Sequence, residues 1–498
     1  MSTQDEPPVE QPKPLFSQLL TLGRHSAIYG LGGLVSRFLA VILLPLYTIY
    51  LSTSDYGKIE TVTSLAAVMT VLLQAGINNA FVRFYFDSDD PAYRRRLLRT
   101  SFWFIMTTAT TGLVLCELFA APLSSVLNGV GPNIVRVGGI LLWAQINYAQ
   151  LTNLFRVEQR SVAFTIASLT NIGLTVAITV LLVVVFHLGP IGIIVGNFSG
   201  TLLVYAVLLA YRREQLGLQF DRSLLRRMNR FGVPLMIAGL FTWVANFGDR
   251  FMVGRLATGA TAERLGQVGQ YSLAIKVGSV MVLLFTAFQI AWPAFAYSIK
   301  DEREAKRTYS FVLTYLVLVA SWAAVALGVF SPWIVRVLAP TRPSFWPAAR
   351  AIAPLAFSSV CWAGFIVVTI AVARTRKTQF NWIATGAGAT LNVGLNFWLI
   401  PAYGMLGAAW ATLAAYALMF VVRTWNAQLL YKVPYQWRRV ALVIGVAAGL
   451  TAAGQLLPRS IALAFAFTLA YPLVLAAFGF YLPVERARLK RLLPARAP

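Results

Sequence analysis

Four charged side chains stand inside stretches of this chain that are otherwise apolar enough to sit in lipid: Arg37, Asp249, Arg250 and Lys276. A charge at such a depth costs about 2.5–3.5 kcal/mol on insertion scales, which makes each one a candidate for handling cargo or ions. Three are cations and one is an anion, a balance that suits anionic cargo better than organic cations. Arg37 lies eleven residues into its apolar run. That is roughly 17 Å along a helix, near the membrane midplane. A guanidinium there could grip an oxyanion through two parallel hydrogen bonds. The competing reading is an arginine paired with a carboxylate or backbone carbonyls between helices. Asn246, Asp249 and Arg250 follow i, i+3, i+4 spacing and read as one polar stripe. On that stripe Arg250 could meet cargo, while Asp249 could hold an arginine or take a coupling proton; the competing reading is a structural ion pair. Lys276 reads either as a third cavity cation or as a lysine snorkelling to the surface.

Uncharged polar residues add a second layer. Asn147, Gln150 and Asn153 recur every third residue, and Gln74, Asn78 and Asn79 cluster in an earlier run. Amides of this kind hydrogen-bond sugars, but they also join neighbouring helices, at about 0.6 kcal/mol each in membranes. Glu60 and Glu117 read as solvated carboxylates near the outer boundary. Catalysis has little to work with. His25 and His187 are the two histidines, neither close to a carboxylate cluster, and no phosphate-cradling loop or metal-ligand spacing occurs. Cys116 and Cys361 read as small buried hydrophobes. The chain is expected to be no enzyme and to need no metal or cofactor, beyond a coupling H+ or Na+ at Asp249.

The elements that carry these residues follow from composition. The chain has 498 residues, 58% hydrophobic and 12% charged, where a soluble protein carries about 25% charged residues. Lipid must be its main solvent. Apolar runs of about 20 residues give fourteen expected spans between residues 26 and 482, among them 26–51, 57–82, 134–155, 231–254 and 267–298. The region 330–350 reads as an outer loop at the interface. The net charge of +24 is spread in short clusters between the runs, which excludes a nucleic-acid face. With the N-terminus in the cytoplasm, basic residues favour inside loops by about four to one, the positive-inside pattern of a bacterial inner-membrane protein with both termini cytoplasmic. The polar, proline-rich start lacks a signal-peptide pattern, so the first run is expected to be retained. Pro45 and Pro234 are expected to kink the first and seventh spans.

A phrase is repeated. Asn171-Ile-Gly173-Leu174 leads to Gly189-x-x-Gly192, and Asn392-Val-Gly394-Leu395 leads to Gly404-x-x-Gly407. The copies fall six spans apart, so both point the same way through the membrane and imply two halves related by an axis along its normal. Tyr56-Gly57 and Gly269-Gln270-Tyr271 echo one another in the same manner. The expected architecture is an all-α integral membrane protein. Two parallel six-helix bundles (26–215 and 216–430) surround a central cavity, after a juxtamembrane segment (1–25) and before two extra spans and a basic tail (431–498). The repeated glycines are expected to make tight turns and to stay clear of cargo.

The stretches SRFLAVILLPLYTIYLSTSDYGKIE, DRFMVG, GQVGQYSLAIKVG and RTRKTQFNWIATGAGATLNVGLNFWLIPAYGMLGAAWATLAAY resemble polysaccharide flippases of the multidrug/oligosaccharidyl-lipid/polysaccharide exporter superfamily. The resemblance covers about residues 20 to 430. It implies a V-shaped pair of bundles that alternates between inward-open and outward-open states. It also implies an undecaprenyl-diphosphate-linked oligosaccharide as cargo, moved from the cytoplasmic to the periplasmic leaflet, with membrane lipids and other polysaccharide-assembly proteins as partners. Arg37, Arg250 and Lys276 would then meet diphosphate, and Asn246, Asn147, Gln150 and Gln74 the sugars. The rival readings are a peptidoglycan-precursor flippase and a multidrug or cation antiporter on the same fold.

Overall fold

The computed structural model describes residues 41–375, 381–457 and 460–483; Arg37 lies outside the described residues. Among the described residues every regular element is helical. From the start, α1 (Leu44–Tyr50), α2 (Thr53–Gln74), α3 (Ile77–Tyr85), α4 (Pro91–Leu118) and the short α5 (Ala120–Val126) lead to α6 (Pro132–Val157). The first half closes with α7 (Ser161–Val180) and α8 (Gly189–Arg212). The second half runs α9 (Arg222–Trp243), α10 (Asp249–Leu256), α11 (Thr261–Gly278), α12 (Val280–Ser298), α13 (Glu302–Leu338), α14 (Ala349–Arg374), α15 (Asn381–Tyr403) and α16 (Met405–Leu430). Helices α17 (Trp437–Leu456) and α18 (Ile461–Ala477) follow.

Ten described helices are long and apolar enough to cross a membrane, or eleven when the bent pair α9–α10 counts as one span. Of the other expected spans, the first lies largely outside the described residues. The fourth is α6, and the last is α18, a shorter apolar helix of 17 residues. The end of the bundle where α3 meets α4 and α8 meets α9 carries the arginine clusters, and we call it the arginine-rich end. Here Asp221 caps α9, accepting from the backbone N–H of Ser223 and Leu224. The Leu224 bond, with help from Ser223, holds its carboxyl below the usual carboxylate range.

Three local features differ from the sequence expectation. The second span is not continuous. It breaks at Ala75 and Gly76, which adopt φ of 46° and 72° between α2 and α3. Gly76 fits that left-handed turn, and its missing side chain lets α9 approach. A Cβ on Gly76 would strike the carbonyl oxygen of Gly232, and one on Gly232 would lie 2.7 Å from that of Ala75. The seventh span bends by 47°, but not at Pro234, which sits within α9. The bend coincides with a π-helical turn at Val244–Gly248, where an extra residue per turn rotates everything that follows. Finally, α13 continues through Pro332 to Leu338, and a 3-10 turn (Pro343–Ala348) with Phe345 buried replaces the expected interfacial loop.

The core forms three clusters of buried apolar residues. One is confined to residues 66–228 and another to 281–480. The third joins residues from both halves, including Tyr56, Ile59 and Val62 of α2 with Leu265, Val268 and Tyr271 of α11. Helices α2 and α11 can meet so closely because each presents glycine. A Cβ on Gly57 would strike the Leu265 carbonyl, and one on Gly269 the Thr53 carbonyl. The two sequence echoes that marked the start of each half therefore pack against each other. The repeated turns also correspond: Gly189 and Gly404 both take φ of 58°. At Gly404 a Cβ would strike the Gln267 side chain, whose Oε1 accepts the backbone N–H of Met405 at 3.1 Å.

Gly57→Ala forces a methyl onto immovable backbone, so it should destabilise the purified protein by about 1–3 kcal/mol. Gly445→Ala, where nothing lies within 4 Å of the added carbon, should be neutral or slightly stabilising. Thermal unfolding in detergent compares the two; equal effects would contradict the tight α2–α11 crossing.

Candidate functional site

The charged residues inside the bundle gather around α11, in two adjacent centres. The first lies between the halves. Glu60 of α2 places Oε1 2.7 Å from Nζ of Lys276 on α11, and its Oε2 lies 3.5 Å from Nε of Arg250 on α10. Tyr56, one helical turn before Glu60, accepts a hydrogen bond from Lys276 and lays its ring 4.9 Å from the ammonium. Arg250 also donates to the backbone carbonyl of Asn246 (2.8 Å) and to Ser272 Oγ (3.3 Å), and it lies over the Phe247 ring. The side chains of Glu60 and Arg250 are each 8% exposed, and that of Lys276 is 26% exposed. Two cations thus share one carboxylate in a low-dielectric setting.

Glu60 corrects the sequence reading, in which it was a solvated boundary carboxylate. It is buried because the Gly57–Gly269 crossing draws α11 over that face of α2. Lys276 is neither free in a cavity nor snorkelling; it is tied to Glu60.

The second centre lies within the second half. Asp249 is buried and accepts three hydrogen bonds, from Thr412 Oγ1 on α16 (2.6 Å), Asn396 Nδ2 on α15 (2.7 Å) and the Tyr271 hydroxyl on α11 (2.9 Å). Asn396 also donates to Asn392 Oδ1 at 3.1 Å. Asn392 and Asn396 stand one turn apart on α15, so the second copy of the repeated phrase supplies part of this pocket. The sequence reading gave the glycines of that phrase a place in turns, clear of cargo, and did not single out its asparagine. In the first copy, Asn171 accepts instead from Thr175 and Thr201. The oxygen-rich set around Asp249 could hold a small cation or a proton. Among the described residues no group of three or more His, Cys, Asp or Glu side chains could hold a metal ion.

Adjacent residues on a helix diverge by about 100°. Asp249 and Arg250 use that divergence to face different centres, one inside the second half and one toward Glu60. The expected stripe of Asn246 with Asp249 and Arg250 is split, because Asn246 lies within the π turn and the other two follow it. Asn246 is exposed, and its side chain donates to the Thr242 carbonyl at 2.8 Å.

The other amides lie elsewhere. Asn147 and Gln150 of α6 are buried; their amide groups donate to the Trp143 carbonyl (2.9 Å) and to Ser101 Oγ of α4 (2.9 Å). Asn153 accepts from Arg156 at 3.3 Å. Gln74 is half-buried at the last position of α2, just before the left-handed break. Glu117 pairs loosely with Arg136 (3.7 Å) with both side chains largely in the open, as read from the sequence. Cys116 and Cys361 are free and half-buried. A groove of about 390 Å³ runs along one face of α4, lined by Trp103, Thr107, Thr110 and Val114 among others, and shares no residue with either charged centre.

Residues 50–342, more than half of the chain and including both charged centres' α2, α10 and α11 residues, match the family described as polysaccharide biosynthesis protein. The chain belongs to that family. A curated relative is an uncharacterized membrane protein, MJ1068, of Methanocaldococcus jannaschii. It is 25% identical over 234 residues, which cover 45% of this chain. The match spans 44% of the length of that relative. Among solved structures, this family member is similar to the lipid II flippase MurJ in an inward closed conformation, with TM-score 0.72 and 12% identity over 92% of this chain and 100% of that one. It is also similar to a multidrug resistance MATE family transporter of the MOP superfamily in an inward-facing conformation, with TM-score 0.60 and 13% identity over 82% of this chain and 98% of that one. The fold of this family member is therefore the one it shares with these two solved structures.

Removing the Asp249 carboxylate should leave the donors on Tyr271, Thr412 and Asn396 without an acceptor. Asp249→Ala is expected to cost about 1–3 kcal/mol, and Asp249→Asn, which keeps one acceptor oxygen, distinctly less. Chemical denaturation of the purified protein checks the order; Asp249→Ala no worse than Asp249→Asn would contradict the network.

Proposed function

We propose that this protein is a flippase. It carries an undecaprenyl-diphosphate-linked oligosaccharide from the cytoplasmic to the periplasmic leaflet of a bacterial inner membrane. The halves 26–215 and 216–430 would rock against each other in alternating access, with 431–498 as an addition and both termini in the cytoplasm. The observation that carries the reading is the cluster of Lys276 and Arg250 against the single carboxylate of Glu60, at the junction of the halves. A buried site with surplus positive charge favours a polyanion such as a diphosphate. An organic cation would be repelled there, which weighs against a multidrug exporter. Arg37, on the first span, is proposed as a further diphosphate contact, and Asn246 and Gln74 as groups that meet sugars. Family membership supports a role in polysaccharide assembly. A peptidoglycan lipid-precursor flippase is the second reading, favoured by the fold shared with MurJ along nearly the whole chain.

Asp249 is proposed as the seat of a coupling H+ or Na+. It abuts Arg250 in sequence and faces hydroxyl oxygens of α11 and α16 and the Asn396 amide of α15, so occupancy there would reach the cation that meets cargo. Deletion in the native host, with mass analysis of accumulated lipid-linked intermediates, identifies the cargo. A glycan on undecaprenyl diphosphate should accumulate at the cytoplasmic face, and Lys276→Ala or Arg250→Ala should reproduce this at normal protein abundance. Normal surface glycan in both variants would refute the site. Asp249→Asn should abolish gradient-dependent flipping in proteoliposomes; unchanged dependence would remove Asp249 from that role.

A further inference from the structure

We infer that Glu60 is a built-in stand-in for the anionic cargo. It occupies the cation pair Lys276–Arg250 when cargo is absent and latches the two halves together; a diphosphate displaces it and thereby unlatches them. The inference rests on the flippase reading and assigns a role to a residue that the sequence reading set aside.

Three observations lead to it. First, the pairing crosses between the halves. Glu60 belongs to α2, while both cations belong to the second half, on α10 and α11. Nothing local in the chain requires this contact, since 216 residues separate Glu60 from Lys276. Second, the carboxylate is stretched over two partners of unequal quality. The Lys276 contact is a short hydrogen-bonded pair at 2.7 Å, whereas the Arg250 contact at 3.5 Å is long and holds through one nitrogen. One carboxylate cannot neutralise two cations, so a group with more charge and more acceptor oxygens would bind the pair better. Third, Lys276 keeps 26% of its side chain exposed while Glu60 and Arg250 are shut in. An incoming anion therefore has a reachable first contact.

Displacement then has a mechanical consequence. Separating α2 from α11 with no replacement would leave Lys276 and the enclosed Arg250 without their shared anion, an unfavourable step. With a diphosphate on the cations, only Glu60 must find new partners. Tyr56 lies beside it, and its position near the start of α2 is within reach of water once the crossing loosens. The latch would thus suppress opening without cargo, and opening would follow binding.

The test measures binding of farnesyl diphosphate, with farnesol as the uncharged control, to the purified full-length protein in nanodiscs. Wild type should bind the diphosphate over farnesol, and Lys276→Ala should lose that preference. Glu60→Gln, which removes the competing charge and keeps the shape, should bind at least ten-fold more tightly than wild type. Glu60→Asp, shorter by one methylene, should fall between them, and it carries the test alone if Glu60→Gln does not fold. Wild-type binding with affinity unchanged or weakened in the Glu60 variants would overturn the stand-in role and leave the flippase reading in place. Absence of diphosphate binding in wild type and in every Glu60 variant would overturn both.

Discussion

A carboxylate buried between two cations is the contact on which the rest of this structure turns. Burial of Glu60, Lys276 and Arg250 is tolerable only while all three remain together, since a lone charge in such a medium costs several kcal/mol. The backbone is arranged to permit it. Glycine at positions 57 and 269 brings α2 and α11 close enough for Glu60 to reach Lys276, and the π turn at Val244–Gly248 rotates α10 so that Arg250 faces the same carboxylate. The consequence is a junction of two halves in which a cluster of charges sits beside the apolar contacts of α2 with α11. The charged part of such a junction offers an anion something to compete for, which a purely apolar one would not.

The same rotation separates two tasks on neighbouring residues. Asp249 looks into a pocket whose Tyr271, Asn396 and Thr412 donors come from three helices of the second half, and Arg250 looks out toward the first half. Anything that alters the charge at Asp249 acts one residue away from the cation that holds Glu60. Within the proposed function, cargo and coupling ion would meet on the same bent helix without sharing a binding site.

Much of this frame was legible in the sequence. Composition and loop charges gave a helical membrane protein, and the repeated Gly-x-x-Gly gave turns whose first glycines share φ of 58°. The apolar context of Asp249, Arg250 and Lys276 marked them as costly and so worth attention. What was missed depends on contacts far apart in the chain. Glu60 stands seven residues after Thr53, where local reading places it near water; only the crossing with α11 buries it. The partners of Asp249 carried a signal that was available, since Asn392 and Asn396 sit one turn apart in an otherwise apolar helix. The π turn had none, because Pro234 offered a more obvious place for the bend. Asn147 and Gln150 have the right spacing for a polar face, but that face meets α4 and its own backbone.

The central claim is that Glu60 holds the arginine-poor ends of the two halves together until an anion replaces it. Pulsed electron–electron distance measurement between spin labels at Ser125 and Thr341, both exposed at that end, addresses it directly. The distance should be short in the cargo-free protein, lengthen when farnesyl diphosphate is added, and already be long in Glu60→Gln without any ligand. One unchanged distance distribution across all three samples would contradict the account.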